Sequence, residues 1–187
     1  MNVYPIEAGN FKLDGGAMFG VVPKSLWTKT NPADADNMIE MSSRCMLVEN
    51  SDKLILVDTG MGDKQSEKFF KHYKRWGNDN LVKSINSAGF SVDDITDVLL
   101  THLHFDHCGG AVVWGSSKET YDVLFKNANY WSNENHWDWA TSPNPREKAS
   151  FLGENLFPIK ESGQLKFINN MSKGFNYCEE LDLEVLC

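Results

Sequence analysis

The apolar run ITDVLL at 95–100 is followed without a break by THLHFDHCGG at 101–110. A short apolar run of this kind reads as a buried strand, which a sheet covered by helices provides. The residues after it then stand on the loop leaving the carboxyl end of a strand, where α/β folds commonly build sites. Three of the five histidines fall within positions 102–107, with Asp106 between the last two. In extended chain, positions i and i+2 point the same way, so His102 and His104 can clamp one metal ion. Asp106 and His107, after the chain turns, can reach a second. Gly109 and Gly110 let the backbone bend past them without Cβ clashes. Packing alone would bury several groups that each need a partner, whereas metal binding satisfies them all.

The flanking elements support an α/β class. Residues 1–22 read as short strands around the turn Asp14-Gly15-Gly16, and 23–40 as a polar loop carrying an exposed tryptophan, Trp27. RCMLVE (44–49) and KLILV (53–57) form a hairpin joined by Asn50-Ser51-Asp52. After Asp58-Thr59-Gly60-Met61-Gly62, the spacing of Phe69, Tyr73 and Trp76 predicts a helix, and a second spans Leu81 to Ala88 and stops at Gly89. Asn144-Pro145-Arg146-Glu147 has a cap residue, Pro at the first helical position and Glu at N3, so a helix begins there and runs to about Leu156. LKFI (165–168) and the alternating LDLEVL (181–186) are strands. No repeat, low-complexity tract or linker interrupts the chain, so residues 1–187 are expected to form a single domain.

Composition narrows the partners. At 187 residues and 41% hydrophobic, the chain suffices for one sizeable core or for part of a larger domain. A net charge of −8 leaves no broad basic face for a phosphate backbone, so the expected partner is a small-molecule substrate and not a nucleic acid. No stretch approaches the ~20 apolar residues of a membrane span, and the N-terminus has neither a cationic region nor an apolar core of a signal. No membrane partner is expected, and a cytoplasmic location is the default. Cys45, Cys108, Cys178 and Cys187 are scattered with no Cys-x-x-Cys pair, so free thiols are expected.

The pattern His102-x-His104-x-Asp106-His107 with Gly109-Gly110, preceded upstream by a strand ending in Asp58-Thr59-Gly60, resembles the metallo-β-lactamase-fold hydrolases. The wider stretch, from DGGAMFG (14–20) through RCMLVE and LILVDTG to YWSNENHWDWA, is most similar to the branch containing acyl-homoserine lactonases and methyl-parathion-hydrolase-like enzymes. That resemblance implies an αββα sandwich with two divalent metal ions and a bridging hydroxide at one sheet edge. Zinc is the first candidate, and manganese, iron or cobalt also suit nitrogen and oxygen ligands. By the motif, His102 and His104 carry over as ligands of one ion, and Asp106 and His107 of the other. Asp106 is also the catalytic candidate, placed to hold or accept the proton of the attacking water. A paired ion site activates water and polarises a carbonyl or phosphoryl oxygen, so no serine or cysteine nucleophile is needed.

The same resemblance exposes a shortfall. The family takes a further histidine, a bridging aspartate and a last histidine from later segments, yet no histidine follows His136 here. Neither Asp138 nor Asp182 lies in a recognisable bridging context. The chain therefore reads as the N-terminal half, or somewhat more, of a longer protein, stopping where LDLEVLC would deliver the third histidine.

Other residues divide between structural and functional readings. Asp58 is either a turn carboxylate or a partner that orients a ligating histidine, and the resemblance favours the second. His72 reads as a plain surface position. The rings Tyr130, Trp131, His136, Trp137 and Trp139 read first as core packing, with a substrate wall as the alternative. Met18, Phe19, Trp27 and Trp137 are the candidates for a pocket lining that would suit acyl chains or aromatic leaving groups. The expected function is hydrolysis of a lactone, ester or organophosphate at a dinuclear metal site. A glyoxalase II-like thioester hydrolase, an iron-based redox protein and a non-catalytic domain with an incomplete metal site stay open, as does a homodimer.

Overall fold

A computed structural model describes residues 1–168 and 175–186. The chain opens with strand β1 (Asn2–Asp14), helices α1 (Gly15–Phe19) and α2 (Lys24–Trp27), and strands β2 (Met38–Asn50) and β3 (Lys53–Val57). Helices α3 (Glu67–Lys71) and α4 (Leu81–Ser87) lead to β4 (Asp97–Leu99) and the one-turn helix α5 (Phe105–Cys108). Strands β5 (Val112–Trp114), β6 (Tyr121–Val123) and β7 (Asn129–Ser132) precede α6 (Glu134–Thr141) and α7 (Gly153–Glu161). The described chain ends with β8 (Leu165–Phe167), β9 (Phe175–Cys178) and β10 (Leu183–Leu186).

Six strands form one mixed sheet in the order β1-β2-β3-β4-β7-β8, antiparallel from β1 to β3 and parallel from β3 to β8. Register sorts its two faces. Leu47, Leu56, Val98 and Tyr130 lie opposite one another across β2, β3, β4 and β7, and all are fully buried. That face packs against Leu81 and Ile85 of α4, Trp137 of α6, and Leu156 and Ile159 of α7. Val48, Ile55 and Trp131 point to the opposite face and meet Cys178 and Leu181 of the β9–β10 hairpin. Each such aliphatic side chain stabilises the fold by about 1.5–3 kcal/mol on burial. Helices on one face and a second β layer on the other are three of the layers of the αββα sandwich that the resemblance implied.

Four local expectations differ. Trp27 is 5% exposed, and its ring stacks on Phe19 with centroids 5.1 Å apart. The polar loop holds a short helix, α2, whose last residue turns inward over Gly15, where a Cβ would stand 2.5 Å from the indole. β1 is one long strand, not several, and Asp14 at its end caps α1 by accepting from the Ala17 amide. The helix around Phe69 stops at Lys71, because Lys74 takes a positive φ of 40° and the Trp76 amide bonds to Asn10 of β1. Asn144 does accept from the Arg146 and Glu147 amides, but the chain then turns, and the Phe105 amide takes the Ser150 carbonyl. The helix starts afresh at Gly153 and contains Pro158.

Candidate functional site

β3 and β4 are parallel neighbours, with Val57 opposite Leu99, so the loops that leave their carboxyl ends emerge side by side. Asp58 opens the first loop with φ 59°, a left-handed conformation that aspartate tolerates better than most residues. Its carboxylate accepts from the Thr101 amide at 2.9 Å and from the Thr101 hydroxyl, and Oδ2 lies 2.8 Å from Nδ1 of His107. A carboxylate only accepts, so Nδ1 carries a proton, and in the neutral ring Nε2 keeps its lone pair.

The main chains of the two loops are joined as tightly. The Thr59 amide and hydroxyl both donate to the His107 carbonyl, at 2.7 and 2.9 Å, and the Gly110 amide donates to Gly60. Gly109 has an ordinary helical φ of −61°, so freedom to bend is not why glycine stands there. A Cβ on Gly109 would meet the Met61 carbonyl oxygen at 2.2 Å, and one on Gly110 the Thr59 oxygen at 2.2 Å. The glycines are required by close approach of two backbones.

This scaffold brings His102, His104, Asp106, His107 and Asp58 together. The His102 ring lies 4.8 Å from that of His104 and 3.9 Å from that of His107, centroid to centroid. Asp106 Oδ2 is 3.7 Å from His107 Nε2. Burial, then the neighbouring His107 and His104, press the His102 pKa down to about 4, so that imidazole is neutral at pH 7. Burial opposes charge on His107 too, but the Asp58 hydrogen bond and the Asp106 charge outweigh it and raise its pKa. Beneath the loop, His136 Nε2 accepts from the Leu103 amide at 3.0 Å, and the Cys108 thiol donates to the Leu103 carbonyl at 3.3 Å. Leu103, between the two histidines, is thus held at both backbone groups. Phe151 packs against His104 and His136.

Three contributors were not visible as such in the sequence. Thr101 reads only as a residue before the motif, Thr59 as part of a turn, and His136 as one ring among five. Their partners are 33 to 48 positions away, and no local pattern announces such pairings.

Of the pocket candidates, Trp137 lies apart from the other three. Phe19 and Trp27 form their stack beside α1, with Met18 exposed next to them. Trp137 is 4% exposed and faces the core, 6.2 Å from Phe167, which is the packing reading of the ring cluster; Trp139 is exposed. A cavity of about 290 Å³ lies behind the paired loops, between Phe11, Met61, Arg75 and Val112, with no histidine in its wall.

The donor set fits a divalent cation in kind: imidazoles, carboxylates, and one ring held by a carboxylate at its far nitrogen. It falls short in number. Among the described residues, no three His, Cys, Asp or Glu side chains converge closely enough to hold an ion.

Residues 39–166 match the Metallo-beta-lactamase superfamily. An N-acyl homoserine lactonase of Bacillus cereus is 31% identical over 84 residues, which are 40% of this chain and 34% of that protein. Among solved structures, a probable metal-dependent hydrolase from Staphylococcus aureus superposes with a TM-score of 0.82 at 29% identity, covering 95% of this chain and 61% of its own. AidC, a dizinc quorum-quenching lactonase in complex with a product, N-hexanoyl-L-homoserine, gives a TM-score of 0.67 at 27% identity, covering 94% of this chain and 62% of its own. The chain thus spans about a third of the curated relative and about three fifths of the two solved ones.

Proposed function

Since the chain belongs to the metallo-beta-lactamase superfamily, we propose that it carries half of the dinuclear metal site of a hydrolase that cleaves a lactone, ester or organophosphate. His102 and His104 would hold one ion, and Asp106 and His107 the other. Bound there, a pair of divalent ions, zinc first among the candidates, supplies Lewis acidity and a water acidified toward neutral pH.

The chain's own residues prepare the site. Asp58 fixes the tautomer of His107 and aims its Nε2 lone pair, and this hydrogen bond is the observation that carries the reading. His136 and Cys108 clamp Leu103, so the imidazoles on either side of it keep their spacing. Asp106 is the group positioned to take the proton of the attacking water. Phe19, Trp27 and Met18 would wall an apolar substrate. The similarity to two lactonases favours lactones within the substrate class.

Four donors for two ions leave each with two protein contacts, against the three that catalytic sites usually have. Residues 1–187 alone should therefore hold metal weakly and turn over little substrate. The test of substrate class is a comparison of rates on the complete protein. An acyl-homoserine lactone, aryl ester or phosphotriester should be cleaved faster than a glutathione thioester, and the reverse ranking overturns the assignment.

A further inference from the structure

Lys64 is only 4% exposed, an uncommon place for an ammonium. Its Nζ donates to the Gly109 carbonyl at 2.5 Å, and its own carbonyl accepts from the Trp114 indole at 3.1 Å. Burial pushes the ammonium down to about 8, so it is still mostly protonated at neutral pH. The next residue continues the pattern. Gln65 donates to Asn155, itself fully buried, while the Gln65 Oε1 and Asn155 Nδ2 atoms lack partners. Leucine or methionine would fill this space without burying a charge, so packing alone does not account for the lysine.

Its acceptor does. The Gly109 carbonyl lies two residues beyond His107 and three beyond Asp106, at the end of α5, a single turn whose last carbonyls have no partner within the helix. The 58–64 segment grips this turn at four points: Asp58 on the His107 ring, Thr59 on the His107 carbonyl, Gly60 on the Gly110 amide, and Lys64 on the Gly109 carbonyl. Asp58 and Thr59 hold the turn at His107, and Gly60 and Lys64 hold the two ends of one peptide just past it, the Gly110 amide and the Gly109 carbonyl. We propose that Lys64 is a positioning residue whose ammonium fixes the Gly109 carbonyl and thereby the direction in which α5 presents Asp106 and His107 to metal. The inference rests on the metal-holding reading of those two residues.

Cobalt(II) titration separates the possibilities, because affinity and the visible spectrum report ligand geometry without reference to turnover. The protein, Lys64→Met, Lys64→Gln and the exposed-site control Lys83→Met are compared, with circular dichroism to establish folding. Lys64→Met should stay folded and bind cobalt about tenfold or more weakly with an altered d–d spectrum. Lys64→Gln, which keeps a donor, should recover part of the affinity, and Lys83→Met should match the parent. Unchanged affinity and spectrum in folded Lys64→Met overturn the proposal, as does failure of both Lys64 variants to fold, which would assign the lysine to the fold alone. A parent protein that takes up no cobalt would instead overturn the metal-holding reading.

Discussion

Asp58 and His107 stand 49 positions apart in the chain, and their side chains meet at 2.8 Å across the ends of two parallel strands. Asp58 also takes both donors of Thr101, so one carboxylate ties the loop after β3 to both ends of the histidine motif.

Asp58→Asn isolates the charge in this arrangement. Asparagine tolerates the φ of 59° at this position, so the fold should survive, whereas alanine would add backbone strain. Metal affinity should fall by about 10–100-fold, because the amide no longer enforces the His107 tautomer. Chelator competition measures it, and unchanged affinity would leave Asp58 a turn residue.

Gly109→Ala tests the close approach of the two loops. The added methyl would sit 2.2 Å from a main-chain oxygen that cannot swing aside. Destabilisation of ~3 kcal/mol or more is expected in denaturant titration, with loss of metal binding. A change within about 0.5 kcal/mol would mean that the loops are not packed as described.

What the sequence disclosed follows the range of the interactions. The β2–β3 hairpin was legible because its two apolar runs and its turn at Ser51, φ 54°, lie within one short segment. The histidine motif was legible for the same reason. Trp27 was not, since what buries it is the absence of a Cβ on Gly15, twelve positions earlier, and the stack on Phe19. The helix expected from Asn144 has its capping bonds in place, but Phe105 claims the Ser150 carbonyl, and a tertiary bond outweighs a local signal. The roles of Gly109, Lys64 and His136 all depend on a backbone partner from another loop, which no spacing along the chain encodes.

Acid stability should single out Asp34. The Met38 amide, and then Lys12 and Lys74, hold its carboxyl at about 2 against burial, fastening the loop that carries Trp27 to β1. A depressed carboxyl contributes stability that is present above its unfolded value, near 3.8, and is lost as pH falls through about 2. Urea midpoints from pH 5 to 2 should show the parent more stable than Asp34→Asn at the upper end and equal to it at the lower. A difference constant across that window would contradict the assignment.

Metal content and lactone hydrolysis measured together, on the complete protein and on its His104→Ala variant, test the central claim most directly. His104 supplies half of the protein contacts proposed here for one ion, so its loss should leave that ion too few ligands to stay. The account predicts two divalent ions per chain and turnover of an acyl-homoserine lactone that chelation abolishes and added metal restores, with both ions and turnover largely lost in His104→Ala. Undiminished hydrolysis by a metal-stripped protein, or by His104→Ala, would contradict it.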